Sequence, residues 1–178
     1  MTRSSQPLTL LARSAVLMHV SLDSVTDVRP TRATPCALWD LGTLISHVAD
    51  SADLLISSVG GRPGPSADPD CRTRARQRIH QLLLALRSVP GNHADLELAA
   101  LTGAFELTIH AWDISESTGC GMLPPGKLAS TLLTYAPIVL GNVDRTGLFD
   151  RPRPPGPGED TDLDRLLALF GRRRKGAT

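Results

Sequence analysis

The sequence predicts an all-α fold, in which helices pack against one another, and three observations support this. The 178 residues are rich in Leu and Ala, and only 3% are aromatic, a composition that favours helix-on-helix packing. Apolar residues recur at steps of three and four, the period of an amphipathic helix. Clusters of Gly and Pro separate these segments. Because this length suits one core, we expect residues 1–178 to form a single domain.

The first two predicted helices cover about residues 7–24 and 41–59. Pro30 and Pro35 break the chain between them. Asp40 is a suitable N-cap for the second helix, because its carboxylate can accept hydrogen bonds from the free amides of the first turn. His47 lies at the edge of that helix's apolar stripe. It is therefore either a satisfied core histidine or a side chain that faces the interior of a bundle. The stripe consists of Leu41, Leu44, Ile45, Val48, Ala52, Leu55 and Val59.

A third helix is predicted over about residues 70–88, a fifth over about 126–141 and a short last one over about 162–170. Pro137 should kink or shorten the fifth helix, whose apolar positions are Leu128, Leu132, Leu133 and Ile138. The first half of the third helix carries Arg72, Arg74, Arg76 and Arg78. These arginines form either a solvated face or a cationic rim for an acidic substrate. Residues 142–160 are rich in Pro and Gly and should be irregular, and the basic residues of 171–178 should form a solvated tail.

The central predicted helix, about residues 94–118, carries the residues with the clearest chemistry. Gly119 lies where a left-handed C-cap would end it. Glu106 and His110 are four residues apart, so their side chains point the same way from successive turns. Such a pair can hold one metal ion, or it can form a simple contact on a solvated face. The apolar stripe of this helix is Leu98, Leu101, Phe105, Ile109 and Trp112, and a second stripe about 100° away carries Gly103, Glu106, His110 and Asp113.

Charge and cysteine content narrow the classes of partner. Lys and Arg number 19 against 18 for Asp and Glu, a net charge of +1, which gives no reason to expect nucleic acid or an acidic membrane as a partner. We find neither an apolar run of 18 residues nor an export signal at the N-terminus, so we expect no membrane span. Cys36, Cys71 and Cys120 are far apart and odd in number. This pattern predicts free thiols in a reducing cytoplasm.

Two sets of residues, taken together, resemble a known superfamily. The first is Thr34-Pro35-Cys36 followed by Trp39 and His47. The second is Glu106-x-x-x-His110-x-Trp112-Asp113, and the segment from Asp164 to Gly171 extends the similarity. The chain resembles the DinB-like superfamily. More closely, it is similar to the actinobacterial metal-binding branch related to the N-terminal domain of mycothiol-dependent maleylpyruvate isomerase.

The resemblance implies a DinB-like up-down-down-up four-helix bundle, extended by short C-terminal helices, with a divalent metal inside. It implies His47, Glu106 and His110 as the metal ligands. Two histidines and one carboxylate also serve zinc hydrolases and non-haem iron sites, so Zn²⁺ is the first candidate and Ni²⁺ or Fe²⁺ the alternatives. Asp113 lies one turn beyond His110. It could act in catalysis as general base, support His110 as an acceptor, or contact backbone or Arg at the helix end.

The function implied is that of a metal-dependent small-molecule enzyme, either a thiol S-transferase or an isomerase of the maleylpyruvate isomerase type. A metal-activated thiol or water would act on an electrophilic substrate, with mycothiol as the candidate thiol cosubstrate. One alternative is a DinB-like bundle adapted to cyclisation or isomerisation in specialised metabolism without a thiol. Another is a non-catalytic metal-binding protein. Pairing of helices into a homodimer stays open.

Overall fold

The computed structural model describes residues 6–26, 29–37, 39–65, 70–88, 92–141, 151–156 and 158–174. Across these residues the fold is all-α, with no β-strand, as predicted. The helices are α1 (Gln6–Asp23), α2 (Leu41–Ser58), α3 (Cys71–Ser88), α4 (His93–Thr118), α5 (Gly126–Leu140) and α6 (Asp162–Leu169). None of these helices, within the described ranges, is both long and apolar enough to cross a membrane.

Residues with local capping roles begin and end several helices. Asp40 caps α2 as predicted, because its Oδ1 accepts a hydrogen bond from the amide of Thr43 at 2.8 Å. Gly119 closes α4 in the left-handed conformation, with φ of 75°, which glycine adopts without a steric penalty. Thr161 and Asp164 form a capping box at the start of α6. The observed helix bounds therefore lie close to the predicted ones.

The chain divides into two compact units, Met1–Met122 and Leu123–Thr178. The first contains α1 to α4 and the second α5 and α6. The assignment of 1–178 to a single domain stays a prediction. Residues 142–150 of the segment predicted to be irregular lie outside the described residues, whereas 151–156 and 158–160 contain no helix or strand.

Helices α1 and α4 run in the same direction, because later residues of α1 contact later residues of α4. Near the middle of α1, Ser14 Oγ accepts a hydrogen bond from Thr108 Oγ1 at 2.8 Å. Just beyond the end of α1, the hydroxyls of Ser24 and Thr118 lie 2.9 Å apart. Ser14 and Thr108 are fully buried, so the seam between α1 and α4 is hydrogen-bonded as well as apolar.

Helices α2 and α3 also run in the same direction. Arg74 Nη2 on α3 lies 2.5 Å from Asp50 Oδ1 on α2. One turn further along both helices, Arg78 Nε lies 2.9 Å from Asp53 Oδ1. The side chain of Arg78 is buried, and its guanidinium also donates to the carbonyl of Gly64. These arginines therefore join two helices and are not free to form a cationic rim.

Two apolar residues lie elsewhere than predicted. Leu98 is 45% exposed, because the buried part of α4 begins only at Ala99. Ile138 is 61% exposed, whereas Val139 is buried. Ala136 and Val139 are three residues apart and face the core together, so Ile138, which lies between them, faces outward.

The basic residues after α6 differ from the expected solvated tail. Arg172 is buried, and its guanidinium donates to the carbonyl of Phe170 at 2.7 Å. Arg174 Nε donates to Asp164 Oδ1 at 2.6 Å. Within the second unit, these two arginines therefore pack against α6, because their guanidinium groups donate hydrogen bonds to a carbonyl and a carboxylate there. Residues 175–178 lie outside the described part of the chain.

Candidate metal centre

The three residues predicted as metal ligands lie together where α2 packs against α4. Glu106 Oε2 lies 3.4 Å from His47 Nε2 and 3.3 Å from His110 Nε2. One ligand atom from each residue lies within 4.8 Å of the others. Leu55, two turns after His47, lies beside Gly103, which precedes Glu106. Helices α2 and α4 are therefore antiparallel, and this direction brings His47 opposite the Glu106–His110 pair.

The centre is largely shielded from water. The side chain of His110 is fully buried, whereas those of Glu106 and His47 are 15% and 22% exposed. Within the described residues, Glu106 Oε2 and His110 Nε2 are buried atoms that make no hydrogen bond. Buried polar atoms are nearly always satisfied. A carboxylate oxygen and an imidazole nitrogen 3.3 Å apart can be satisfied either by a proton on His110 Nε2, which gives an ion pair, or by a metal cation between them.

The distances from Glu106 to the two histidines match those between ligand atoms of a tetrahedral metal site. Bonds of about 2.0–2.2 Å from zinc to nitrogen and oxygen place two ligand atoms about 3.3–3.5 Å apart at the tetrahedral angle. The contacts of Glu106 Oε2 with His110 and His47 are 3.3 and 3.4 Å. The donor set of two imidazoles and one carboxylate is also one that Zn²⁺, Fe²⁺ and Ni²⁺ accept. The residues present therefore fit a divalent ion.

Asp113 supports His110 from the side opposite to Glu106. His110 Nδ1 lies 3.0 Å from Asp113 Oδ2, and both side chains are fully buried. The Nδ1–H group donates to the carboxylate, which leaves Nε2 directed towards Glu106. A carboxylate that holds the far nitrogen of a ligating histidine is the common supporting arrangement of metal sites. Its burial and its contact with His110 favour the supporting role for Asp113 over direct contact with substrate.

Interactions within the centre shift the pKa values of Glu106 and His110 in opposite directions. Burial raises the pKa of Glu106, but its interactions with His110 and then with His47 outweigh burial and lower the pKa to about 2. Burial lowers the pKa of His110, but Asp113 and Glu106 together raise it to about 9. At neutral pH and without a metal, Glu106 is therefore ionised and His110 is protonated. A metal ion would displace the proton from His110.

Two further residues surround His47. The indole ring of Trp39, which precedes α2, lies 4.1 Å from the imidazole ring of His47 and 5.9 Å from that of His110, centroid to centroid. The hydroxyl oxygen of Ser51 lies 3.2 Å from His47 Nε2. Ser51 was not predicted from the sequence as part of the site. Its position four residues after His47 on one helix was the available signal.

The remaining histidines lie away from the centre. His93 is exposed and lies 3.4 Å from Glu97. His19 is half-buried beside Arg76, and burial followed by the charge of Arg76 lowers its pKa. His80 is exposed. Among the described residues, His47, Glu106 and His110 form the one cluster whose ligand atoms converge.

Comparison of the chain with models of protein families, with curated proteins and with solved structures found no match. Function is therefore inferred from the chemistry of the centre. Three protein ligands leave coordination positions of a divalent ion open to water or substrate. Of the three residues that would hold the ion, His47 and Glu106 are partly exposed, and Ser51 and Trp39 contact His47.

Proposed function

We propose that this protein is a divalent-metal-dependent enzyme acting on small molecules, of the maleylpyruvate isomerase or thiol S-transferase type. The observation that supports this most is the convergence of His47 from α2 with Glu106 and His110 from α4. The DinB-like topology is part of the proposal. It is supported by the directions of the first four helices, since α1 and α4 run one way and α2 and α3 the other.

In this proposal the ligands are His47, Glu106 and His110, and Zn²⁺ is the preferred ion, with Ni²⁺ or Fe²⁺ as alternatives. Asp113 is a positioning residue, because it acts through His110 and holds the proton on Nδ1. Trp39 covers one face of the His47 ring and so restricts its rotation. Ser51 presents a hydroxyl group beside His47 Nε2.

A divalent ion supplies Lewis acidity, which lowers the pKa of a coordinated thiol or water and polarises a carbonyl. For a thiol, with mycothiol as the candidate cosubstrate, the S–H proton is lost to solvent and a carbon–sulfur bond forms at an unsaturated carbon. That carbon belongs to a C=C bond conjugated to a carbonyl, so the C=C electron pair shifts to the bond beside the carbonyl carbon, the C=O electron pair moves onto oxygen, and the oxygen takes a proton from solvent. Rotation about the carbon–carbon bond that has become single, followed by the reverse steps that release the thiol, would complete an isomerisation. We place the protein in the cytoplasm, where such thiols stay reduced.

Metal content tests the ligand assignment. Protein purified without chelator should contain one divalent ion per chain by elemental analysis, and His47→Ala, Glu106→Gln or His110→Ala should reduce occupancy severely. His19→Ala, His80→Ala and His93→Ala are matched controls, because these histidines lie outside the cluster. Equal metal content in His47→Ala and the parent would refute the site.

Thiol dependence then separates the classes of enzyme. The metal-loaded protein should transform an electrophilic substrate such as maleylpyruvate only when mycothiol is added, and removal of the metal should abolish the reaction. A reaction that needs the metal but not the thiol would favour cyclisation or isomerisation of another substrate. A bound metal without turnover of any electrophile tested would favour a metal-binding protein without catalysis.

A further inference from the structure

A hydrogen-bonded turn just before α2 fixes the backbone of Trp39. The hydroxyl of Thr34 donates to the carbonyl of Trp39 at 2.7 Å and accepts a hydrogen bond from the amide of Cys36 at 3.1 Å. The amide of Trp39 donates to the carbonyl of Cys36, also at 3.1 Å. Both backbone polar groups of Trp39 are therefore satisfied within this turn, and the side chain of Thr34 joins its two ends.

The same segment is tied to the start of α2. Ala33 and Asp40 pair as an isolated antiparallel bridge, and the amide of Leu41 donates to the carbonyl of Arg32 at 2.8 Å. The carboxylate of Asp40 caps α2. Because Trp39 lies between the turn and these contacts, its backbone is held on both sides. The turn therefore sets the direction in which the indole leaves the backbone.

The indole of Trp39 packs against both histidines of the metal centre. Its ring centroid lies 4.1 Å from that of His47, with the ring planes tilted by 36°, and 5.9 Å from that of His110. The two imidazole rings meet edge to face at 5.2 Å. Tilted and edge-to-face contacts are favourable arrangements of aromatic rings. Rotation of the His47 ring away from Glu106 would break this set of contacts.

The two histidines are supported in different ways. Asp113 holds Nδ1 of His110 at 3.0 Å, which is how the second nitrogen of a ligating histidine is usually fixed. Within the described residues, the hydrogen-bond and ion-pair contacts of His47 are made by Nε2 alone, with Ser51 and Glu106. Nε2 is the atom that would bind the ion. The orientation of the His47 ring in the metal-loaded protein therefore depends on packing, and Trp39 supplies that packing.

We propose that Thr34 and Trp39 are positioning residues, which hold His47 in the orientation that binds the metal ion. Thr34 acts through Trp39, and Trp39 acts through His47, so neither is a ligand. This inference rests on the proposed metal site and adds the residues that preorganise its ligand from α2. When the ring already faces Glu106 before the ion arrives, a larger fraction of the chains is competent to bind, and the apparent affinity rises in proportion.

The dissociation constant for Zn²⁺, measured by competition with a chelator, tests this support. Trp39→Leu should raise the constant roughly 2- to 12-fold, the loss expected for one aromatic contact. Trp39→Phe keeps an aromatic ring and should recover most of that loss. Thr34→Val keeps the shape of the side chain but removes its hydroxyl. It should weaken binding by less than Trp39→Leu, because the other hydrogen bonds of the segment remain.

Asp40→Ala is the matched control, because it removes the N-cap of α2 next to Trp39 but leaves the Thr34 hydrogen bonds and the indole contact in place. Its affinity for Zn²⁺ should stay near that of the parent. Unchanged affinity in Trp39→Leu or Thr34→Val would overturn the proposal. Equal weakening by Trp39→Phe and Trp39→Leu, or by Asp40→Ala and Thr34→Val, would also overturn it.

Nuclear magnetic resonance of the metal-free protein supplies a readout that general loss of stability does not produce. The ring current of an indole 4.1 Å away should move the imidazole C–H signals of His47 upfield, and His47→Ala identifies these signals by their loss. Trp39→Leu should abolish the shift, whereas Asp40→Ala should keep it. Circular dichroism verifies folding, and Thr34→Val decides by both measurements if Trp39→Leu does not fold. Unshifted signals in a parent that binds Zn²⁺ would overturn the support but not the metal site. Failure of the parent to bind Zn²⁺ would overturn both.

Discussion

Because Asp113 contacts His110 and is not itself a proposed ligand, its contribution to metal affinity can be measured separately from those of the ligands. Asp113→Asn keeps the shape of the side chain but removes the negative charge of the carboxylate, whose Oδ2 lies 3.0 Å from His110 Nδ1. Loss of such a partner weakens metal binding by roughly 10- to 100-fold. We therefore expect a dissociation constant raised by that factor, measured by competition with a chelator, while the helical circular dichroism signal is kept. Glu116→Gln, on the same helix, removes one charge as a control, and equal weakening by both changes would assign the effect to net charge.

Protons should compete with the metal up to an unusually high pH. The neighbouring carboxylates raise the pKa of His110 to about 9 in the metal-free protein, so below that pH a bound metal must displace a proton. Affinity should fall about tenfold per pH unit for that proton below pH 9 and level off above it. Isothermal titration in buffers of different ionisation enthalpy counts the released protons. An affinity that is flat between about pH 6 and 9 would exclude His110 as a ligand.

The same pKa shift has the opposite effect on the metal-free fold. A histidine whose pKa is raised from 6.5 to about 9 on folding contributes stability that is fully present below pH 6.5 and lost as pH rises through 9. Glu106, whose pKa is lowered from 4.5 to about 2, contributes stability above pH 4.5 that is lost as pH falls through 2. The contribution of this pair is therefore greatest between these limits, at about pH 4.5–6.5.

The sequence reveals the centre only in part. Glu106 and His110 share a helix, so the 3.6-residue period is enough to place them on one face. His47 joins them through packing of α2 on α4, which no local pattern encodes, and only the resemblance pointed to it. Ser51 was missed although its position four residues after His47 on α2 is a local signal. The close packing of Leu11, Leu55 and Leu82 around Gly103 was missed because it depends on which atoms of other helices approach it.

At the scale of elements, the buried hydroxyls between α1 and α4 are a stability feature distinct from the metal centre. Thr108→Val keeps the shape of the side chain but removes the hydrogen bond of 2.8 Å to Ser14. Such a bond is worth about 1 kcal/mol net, or about 2–4 °C in the melting temperature of a chain of this length. We expect this loss in a thermal melt, with metal affinity unchanged. Thr102→Val, at a half-buried position of α4, should change the melting temperature little, and equal loss in both variants would assign the effect to the valine.

Helix bounds were predictable because caps are local, as with Asp40 before α2 and Gly119 after α4. The burial of polar residues of α4 was not predictable in this way. An apolar stripe suggests one buried face, yet α4 also buries His110, Asp113 and Thr108. Their burial depends on hydrogen-bonding partners, including Ser14 on α1, which the sequence of α4 alone does not contain.

At the scale of the whole molecule, the class and number of helices in the described residues were predictable from periodicity, whereas the directions of the helices were implied only by the resemblance. Short connections favour antiparallel neighbours, but α2 and α3 run parallel, because Cys71 at the start of α3 lies near Leu41 at the start of α2. Amphipathic periodicity within a helix does not specify this direction. The position of His47 opposite Glu106 depends on the resulting order of the helices.

The metal should stabilise the whole first unit without being required for its folding. It would join α2 to α4 in the native chain and bind the unfolded chain weakly, so linkage gives about 2.7 kcal/mol at a hundredfold excess over the dissociation constant. At about 2–4 °C per kcal/mol, the melting temperature should rise by about 5–11 °C. The metal-free protein should stay helical, since the apolar faces of four helices are already buried. Circular dichroism melts with EDTA and then with Zn²⁺, Ni²⁺ or Fe²⁺ measure the shift.

His47→Ala is the control for this stabilisation. The variant removes the only α2 ligand of the cluster but keeps the leucine-rich core, so it should melt cooperatively and gain little from any metal. Loss of helix when the parent is chelated would mean that the ion, rather than the core, holds the bundle together, as in zinc fingers. A parent melt that no metal shifts would leave the Glu106–His110 pair as a contact between neighbouring turns of α4 and would favour a bundle that works without metal.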